Sequence, residues 1–287
     1  MKNFTLLFFF FVFSINCFSQ KLSLDIYGGV TNYQGDLQDK QFTFSQSHLA
    51  GGLGLSYNIT DHFAIRSAFT LGKVSADDKF TKNKIRNLNF TSGISEFQLG
   101  LQYNLFSLES MAFSPYLFVS AAVFHFNPYT FDGNGDKYYL QPLSTEGQGF
   151  IDGRQKYELT QFAIPIGAGI KFALSENINI GVEFGFRKLY TDYLDDVSTA
   201  YVDKNLLELN RGPKAVELAY RGGEIKPNPP YPKDGETRGH SPKDWYYITA
   251  FTLSYRFTEG SSGGGRNGFS GGNRGKRSNF GCPKNIM

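Results

Sequence analysis

Cysteine is nearly absent from this chain: among 287 residues only Cys17 and Cys282 are of this type. Cys17 falls inside an amino-terminal segment that reads as a cleaved export signal, so the mature chain keeps one thiol. One thiol excludes an internal disulfide and any cysteine-based metal centre. Long apolar runs are missing as well. Beyond the first few residues no stretch reaches the ~20 apolar residues that a membrane-crossing helix requires. Charge is sparse, at 19 % against roughly 25 % in an average soluble domain. Aromatic residues are plentiful instead, at 16 %, and glycines number 32. That mixture suits a barrel wall better than a soluble core.

The amino terminus is laid out as a signal peptide over residues 1–19. Lys2 supplies the positive charge, residues 6–13 form an unbroken apolar run, and Cys17 and Ser19 are small residues ahead of a cut before Gln20. An uncleaved span is the competing reading, and the run is too short for it. Lipidation of Cys17 is a second alternative. Ser14 and Asn16 oppose it, since such a site wants an apolar residue and a small one there.

Between Leu22 and Phe257 the chain alternates with a period of two in eight segments, which predicts strands. The last is the plainest. Trp245, Tyr247, Thr249, Phe251, Leu253, Tyr255 and Phe257 share one face, and Tyr246, Ala250, Thr252, Ser254 and Arg256 the other. The other strands are expected near 22–31, 48–58, 63–72, 92–105, 115–126, 157–172 and 178–187. Pro165 inside the sixth predicts a bulge. Connections near 58–62, 106–114 and 173–177 are short, and those near 33–47, 73–91, 127–156 and 188–243 are long. Outer-membrane barrels sort their connections this way, short in the periplasm and long outside. A soluble β-sandwich, the alternative fold, has no reason to. The prediction is therefore all-β: an eight-stranded antiparallel transmembrane up-and-down β-barrel over residues 20–258. Both termini are then periplasmic, with Tyr57, Tyr103 and Phe257 in an aromatic girdle at that rim.

The faces opposite the apolar stripes carry Asp25, Arg66, Glu96, Lys171, Glu183, Arg187 and Arg256. Charges facing lipid are costly, and an eight-stranded barrel is narrow enough to be filled by its own side chains. A plugged interior with cross-barrel ion pairs follows. The glycine runs at 51–54 and 167–169 follow no phosphate-loop spacing and are expected to allow close packing inside that barrel.

Other constellations are weaker. His125 and Ser120 would be the pair of a barrel-borne lipid hydrolase, but residues five apart on a strand face opposite ways. No catalytic residues and no cofactor are assigned, and the protein is expected not to be an enzyme. Asp132-Gly-Asn134-Gly-Asp136 has the oxygen spacing that opens a calcium loop, but Leu143 stands where the closing glutamate belongs. A solvated turn is the expectation. Asp192, Asp195 and Asp196 form a second acidic cluster, read as a hydrogen-bonded loop with a divalent cation as the alternative.

Residues 259–287 form a Gly/Arg-rich, low-complexity tail, expected to be disordered. Beyond Gly260 it carries five basic residues, Arg266, Arg274, Lys276, Arg277 and Lys284, and no acidic one, whereas the barrel segment is mildly acidic. Arg274, Lys276 and Arg277 suit an acidic protein surface or anionic lipid heads; the periplasm argues against nucleic acid. Cys282 ends this tail in an oxidising compartment, where it is either bonded to a partner or an unpaired thiol.

Several segments together resemble a Bacteroidetes family of outer-membrane proteins, the PorG-like barrels. They are IYGGVTNYQGDL (26–37), SPYLFVSAAVFHFNP (114–128), LQPLSTEGQG (140–149), IPIGAGIKFALSENINIGVEFGFRKLYTDYLDDVS (164–198) and GCPK (281–284). The stretch 186–198 together with QPLSTEGQG is the most specific part. The resemblance implies a component of the type IX secretion system, which exports proteins and, in gliding species, adhesins. Its implied partners are outer-membrane lipids and the periplasmic ring, built from a lipoprotein and its partner. In that setting Cys282, Arg274, Lys276 and Arg277 are the candidate partner-binding residues, with an intermolecular disulfide through Cys282. The alternative function is a small barrel whose long extracellular loops bind a ligand or divalent cation.

Overall fold

The computed structural model describes residues 21–38, 43–239 and 243–257. The signal segment and the tail, with Cys282, Arg274, Lys276 and Arg277, lie outside the described residues. Nine strands form: β1 (Leu22–Gln34), β2 (His48–Asn58), β3 (Phe63–Asp77), β4 (Asn89–Asn104), β5 (Phe113–Phe131), β6 (Lys137–Tyr139), β7 (Thr160–Ala173), β8 (Ile178–Leu189) and β9 (Trp245–Arg256). All pairings are antiparallel. Eight strands close in the order β1-β2-β3-β4-β5-β7-β8-β9 and back to β1. The ninth, β6, is a short flap hydrogen-bonded to the far end of β5. The eight expected strands are all present, and β3, β4 and β5 extend further into the long-loop side than the alternation suggested.

The register fixes the girth. Paired residues lead once around the wall from Leu22 through Tyr57, Ile65, Leu101, Val119, Ile166, Phe186 and Tyr247. The circuit returns to Asn32, ten residues farther along β1. Eight strands with that stagger enclose a space that side chains can fill. Glycine sets how closely they approach. A Cβ on Gly169 would enter the Tyr116 ring, and one on Gly167 the Phe118 ring. The glycine runs are there for close packing, as their placement suggested.

The bulge expected at Pro165 does not occur. On the β5 side Val119 pairs with Ile166 and Ala122 with Ala163, so the register is unchanged across the proline. Pro165 lacks the N–H for a ladder bond and opens a gap opposite Ser120 and Ala121, with no extra residue inserted. Ser120 Oγ is one of the buried atoms without a hydrogen-bond partner.

The two faces of the wall differ as the alternation requires. Outward residues such as Leu53, Phe69, Leu99, Leu117, Ile166, Val182 and Phe251 are each at least two-fifths exposed. A continuous apolar belt of this kind is far larger than soluble proteins present to water, and its natural solvent is lipid. At the short-turn end it finishes in aromatic rings: Tyr103 against Phe63 (5.0 Å), Phe106 against Phe113 (5.8 Å) and Tyr255 against Phe257 (5.5 Å). No described helix is long and apolar enough to cross a membrane, which leaves the strands to do it. The protein is an outer-membrane β-barrel.

Candidate functional site

The barrel interior changes character along its axis. Midway up, Arg66 makes a bidentate pair with Glu183 (2.8 and 3.1 Å), and Tyr116 donates to the same carboxylate (2.8 Å). Farther towards the long loops, Arg187 contacts Glu96 at 3.3 Å and Tyr246 donates to Glu96 as well. Asp25 accepts from Ser56 and Ser254, and Lys171 reaches Gln102 at 3.4 Å. Five of the seven inward charges, Arg66, Glu183, Arg187, Glu96 and Lys171, thus meet partners across the lumen, Asp25 is held by serines of the two neighbouring strands, and Arg256 lines the short-turn mouth. Bidentate arginine–carboxylate geometry and the extra tyrosine donors offset the cost of burying these ions. The void left at mid-barrel is about 20 Å³, room for roughly one water. On the short-turn side an open polar vestibule of about 430 Å³ leads up to this plug.

The opposite mouth is covered by the long loops, which fold into a cap. Its largest loop, 190–244, contains α1 (Lys204–Arg211) and α2 (Pro213–Ala219). Asp203 caps α1 through Leu206 N–H, and Pro213 opens α2, where its missing N–H costs nothing. Their buried faces form a small cluster of Val202, Leu207, Ala215, Val216 and Ala219, packed against Leu143 and Ile151 of the 132–159 loop. Below it, Leu194, Val197, Leu140 and Tyr157 join the apolar top of the lumen at Phe124, Phe126 and Tyr246.

Two arginines stitch the cap together. Arg86 binds Asp78 with two bonds of 2.7 Å, reaches Asp36 O at 3.1 Å and donates to Arg238 O. Arg238 in turn pairs with Glu146 (3.1 Å) and donates to Asp196 O (2.6 Å). All four long loops meet in this chain of contacts. Glu146, wholly buried, also accepts from Ser198 N–H (3.0 Å), Thr199 N–H (2.9 Å) and the Thr199 hydroxyl (2.6 Å). Two motifs far apart in sequence are thereby locked: Thr145 and Glu146 of LSTEGQG hold Asp196, the last residue of TDYLDD, and Ser198 and Thr199 just beyond it.

The acidic cluster is consumed in this network. Asp196 accepts from Thr145 (2.5 Å) and Tyr157 (2.7 Å), and burial raises its pKa to about 6. Tyr33 lies 2.6 Å from Asp195 and 2.8 Å from Asp244. One hydroxyl hydrogen faces two carboxyls, an arrangement that favours a shared carboxyl proton in the bridge. Burial first, then neighbouring acids (Asp244 and Asp36 for Asp195, Asp192 and Asp36 for Asp244), push both carboxyls well above their ordinary range. Asp192 accepts from Ser198 (2.8 Å). No group of three or more metal-ligating side chains occurs among the described residues, and Asp195 and Asp196 are hydrogen-bonded into the cap, as expected of a hydrogen-bonded loop. Asp132 likewise closes a turn, accepting from Asn134 and Asp136 N–H and pairing with Lys214 at 2.9 Å. His125 faces outward with Thr160 at 3.1 Å, while Ser120 faces the lumen.

Glu146, Arg86 and Arg238 were not picked out from the sequence, because inward charges were sought on strands. One local signal exists: Glu146 sits among Ser144, Thr145 and two glycines of positive φ, a setting for a structured carboxylate more than a solvated one.

Outside the wall, where loops and strands meet, lies a cleft of about 1220 Å³. Ile164, Ile166, Phe186 and Trp245 form its barrel side, and Tyr201, Tyr220, Tyr231, Lys233 and Lys243 its loop side.

The solved structure of Neisserial surface protein A is similar to this chain at 8 % identity and a TM-score of 0.41, covering 82 % of this chain and 97 % of that one. Ail of Yersinia pestis, in complex with a heparin analogue, is similar at 9 % and 0.41, covering 83 % and 98 %. OprG of Pseudomonas aeruginosa is similar at 12 % and 0.37, covering 83 % and 97 %. No curated protein matches the chain. The family described as "Domain of unknown function (DUF6089)" matches residues 1–212, and the chain belongs to that family.

Proposed function

We propose that this barrel is a non-enzymatic mount of the type IX secretion system, holding the periplasmic ring beneath the outer membrane. The observation that carries the reading is the sealed lumen. A wall pinned shut by Arg66–Glu183 and Arg187–Glu96 leaves about 20 Å³ at its middle, so passage through this barrel is a poor account of it. A sealed lumen favours attachment, and the resemblance to PorG-like barrels supports the periplasmic ring as what is attached. In this reading both termini are periplasmic. The tail reaches the ring, Arg274, Lys276 and Arg277 steer it to an acidic surface, and Cys282 locks the contact as a disulfide. Membranes run on a non-reducing gel should show an adduct that Cys282→Ser removes. Capture of the detergent-solubilised protein should bring the ring lipoprotein with it, and removal of residues 259–287 should lose it. Recovery of the tail-less protein with the ring intact would sink the attachment mechanism.

A second reading, a barrel whose loops bind a ligand, draws support from the cleft beside the cap. Its divalent-cation form has none, since the acidic oxygens of Asp195 and Asp196 are committed to Tyr33, Thr145 and Tyr157.

A further inference from the structure

We propose that the cleft on the outer wall binds a phosphate-bearing lipid from the membrane leaflet at the long-loop end. Two halves of the cleft differ in chemistry. Ile164 and Ile166 on β7 and Phe186 on β8 belong to the outward face that lower down carries Ile170 and Val182, so this side continues the lipid-facing belt. An acyl chain enters sideways from the bilayer without crossing water. Above it the loops bring Lys233 and Lys243, with Lys82 beside them and Trp245 at the boundary, where an amphipathic ring belongs. Asp36 and Glu236 also line the cleft; Glu236 is engaged with the Lys233 N–H at 3.0 Å.

An independent observation points to a polar guest. The Tyr231 hydroxyl and both amide atoms of Gln38 are buried at this cleft without a hydrogen-bond partner. Buried polar groups without partners are uncommon, and the two donors among these, the Tyr231 hydroxyl and the Gln38 amide nitrogen, match a ligand that brings acceptors. A phosphate head takes the Tyr231 hydroxyl and Gln38 amide hydrogens while the lysine ammonium groups balance its charge. A neutral sugar would waste the lysines, and a soluble anion would leave the apolar wall uncovered.

Trp245 lines this cleft and is the single tryptophan of the chain, so its fluorescence reports occupancy. The full chain is reconstituted in phosphatidylcholine bilayers containing phosphatidylglycerol, with bromine on the acyl chains of one lipid or the other. Brominated phosphatidylglycerol should quench Trp245 at a mole fraction about five-fold or more below that of brominated phosphatidylcholine, as one or two lysines at a membrane surface would give. Lys233→Glu with Lys243→Glu should erase the preference, and Tyr231→Phe, which deletes only the orphan hydroxyl, should reduce it. Equal quenching by the two lipids, or a preference that survives the double reversal, overturns the proposal. So does a preference abolished by 10 millimolar-range inorganic phosphate (about that concentration, screening being weak there), which would mark a site for a soluble anion.

Discussion

The two ends of this barrel are built from the same kinds of residue and do opposite things with them. At the short-turn end, acids such as Asp61 and Glu109 line an open vestibule, and the connections are held mainly by bonds within each hairpin. At the long-loop end Glu146, Asp195, Asp196 and Asp244 are almost wholly buried, each with named donors. Chain length makes the difference. A four-residue turn can only close a hairpin, whereas the 190–244 loop has enough chain to carry its own helices and a small apolar cluster. Once that cluster excludes water, a buried carboxylate beneath it is costly unless paired, and the arginines follow.

The comparison breaks most visibly at Glu146. Glu146→Ala leaves buried Arg238 with only the more distant Asp196 carboxyl, at 3.8 Å, as counter-charge and frees two backbone donors, which should cost the cap about 3–5 kcal/mol. Trypsin should then cut the loops of the folded, detergent-solubilised barrel while the strands stay protected. Asp61→Ala, in the vestibule, should leave the digestion pattern unchanged, within about 0.5 kcal/mol. If both variants digest alike, the cap is not held as described.

The plug offers the next largest effect. Arg187→Met alone strands Glu96 in the lumen, again at about 3–5 kcal/mol. Adding Glu96→Gln should recover most of that loss, because removing both ions removes the burial cost as well. Thermal unfolding followed by the shift in gel migration of the folded barrel measures both variants. A double variant no better than the single one would mean that the pair matters through packing and not charge.

How much of this was written legibly in the sequence differs between the same two regions. The strands were, because alternation is local: Phe251, Leu253 and Tyr255 announce their face within a few residues. Inward charges were too, since a lipid-facing Arg66 or Glu183 would be too costly. Pro165 misled because proline signals only a lost N–H, and a gap satisfies that as well as a bulge. The cap was illegible for a physical reason. Its bonds join residues such as Arg86 and Arg238, 152 apart, and no periodicity marks a contact of that kind. The fragments LSTEGQG and TDYLDDVS stand out by resemblance, yet only the folded chain brings them together.

Acidity separates the ends by a smaller margin. Asp196 titrates near pH 6 in the closed cap against 3.8 ordinarily, and the Asp195–Asp244 pair is raised in the same direction. A carboxyl with a raised pKa contributes fully below its ordinary pKa, and that stability is lost as pH rises through the value in the closed cap. Cap closure should weaken between about pH 4 and pH 7, for Asp196 by on the order of 2 to 3 kcal/mol. Of the facing charges from the other loops, Arg238 tempers that loss for Asp196, whereas Glu146 and Asp36 add to it, so the sign stands. Hydrogen exchange at Leu194 and Val197, whose amides bond to Asp244 and Asp195, should show protection that falls with pH after correction for intrinsic rates. Flat or rising protection would contradict the shared proton at Tyr33.

The smallest effect belongs to the short turns. Thr60 Oγ1 accepts from the N–H of His62 (3.2 Å) and of Phe63 (2.9 Å), the hydroxyl device that stiffens a four-residue connection. Thr60→Ala removes it where water can take over, so the loss should be about 0.5–1 kcal/mol. The β2–β3 ladder should hold, because Tyr57↔Ile65 and Asn58↔Ala64 still pair. Thermal unfolding of the variant in detergent, beside Glu146→Ala, puts both ends on one scale. A turn variant that falls as far as the cap variant would mean that this end is tied down by more than its local bonds, and the contrast between the two mouths would fail.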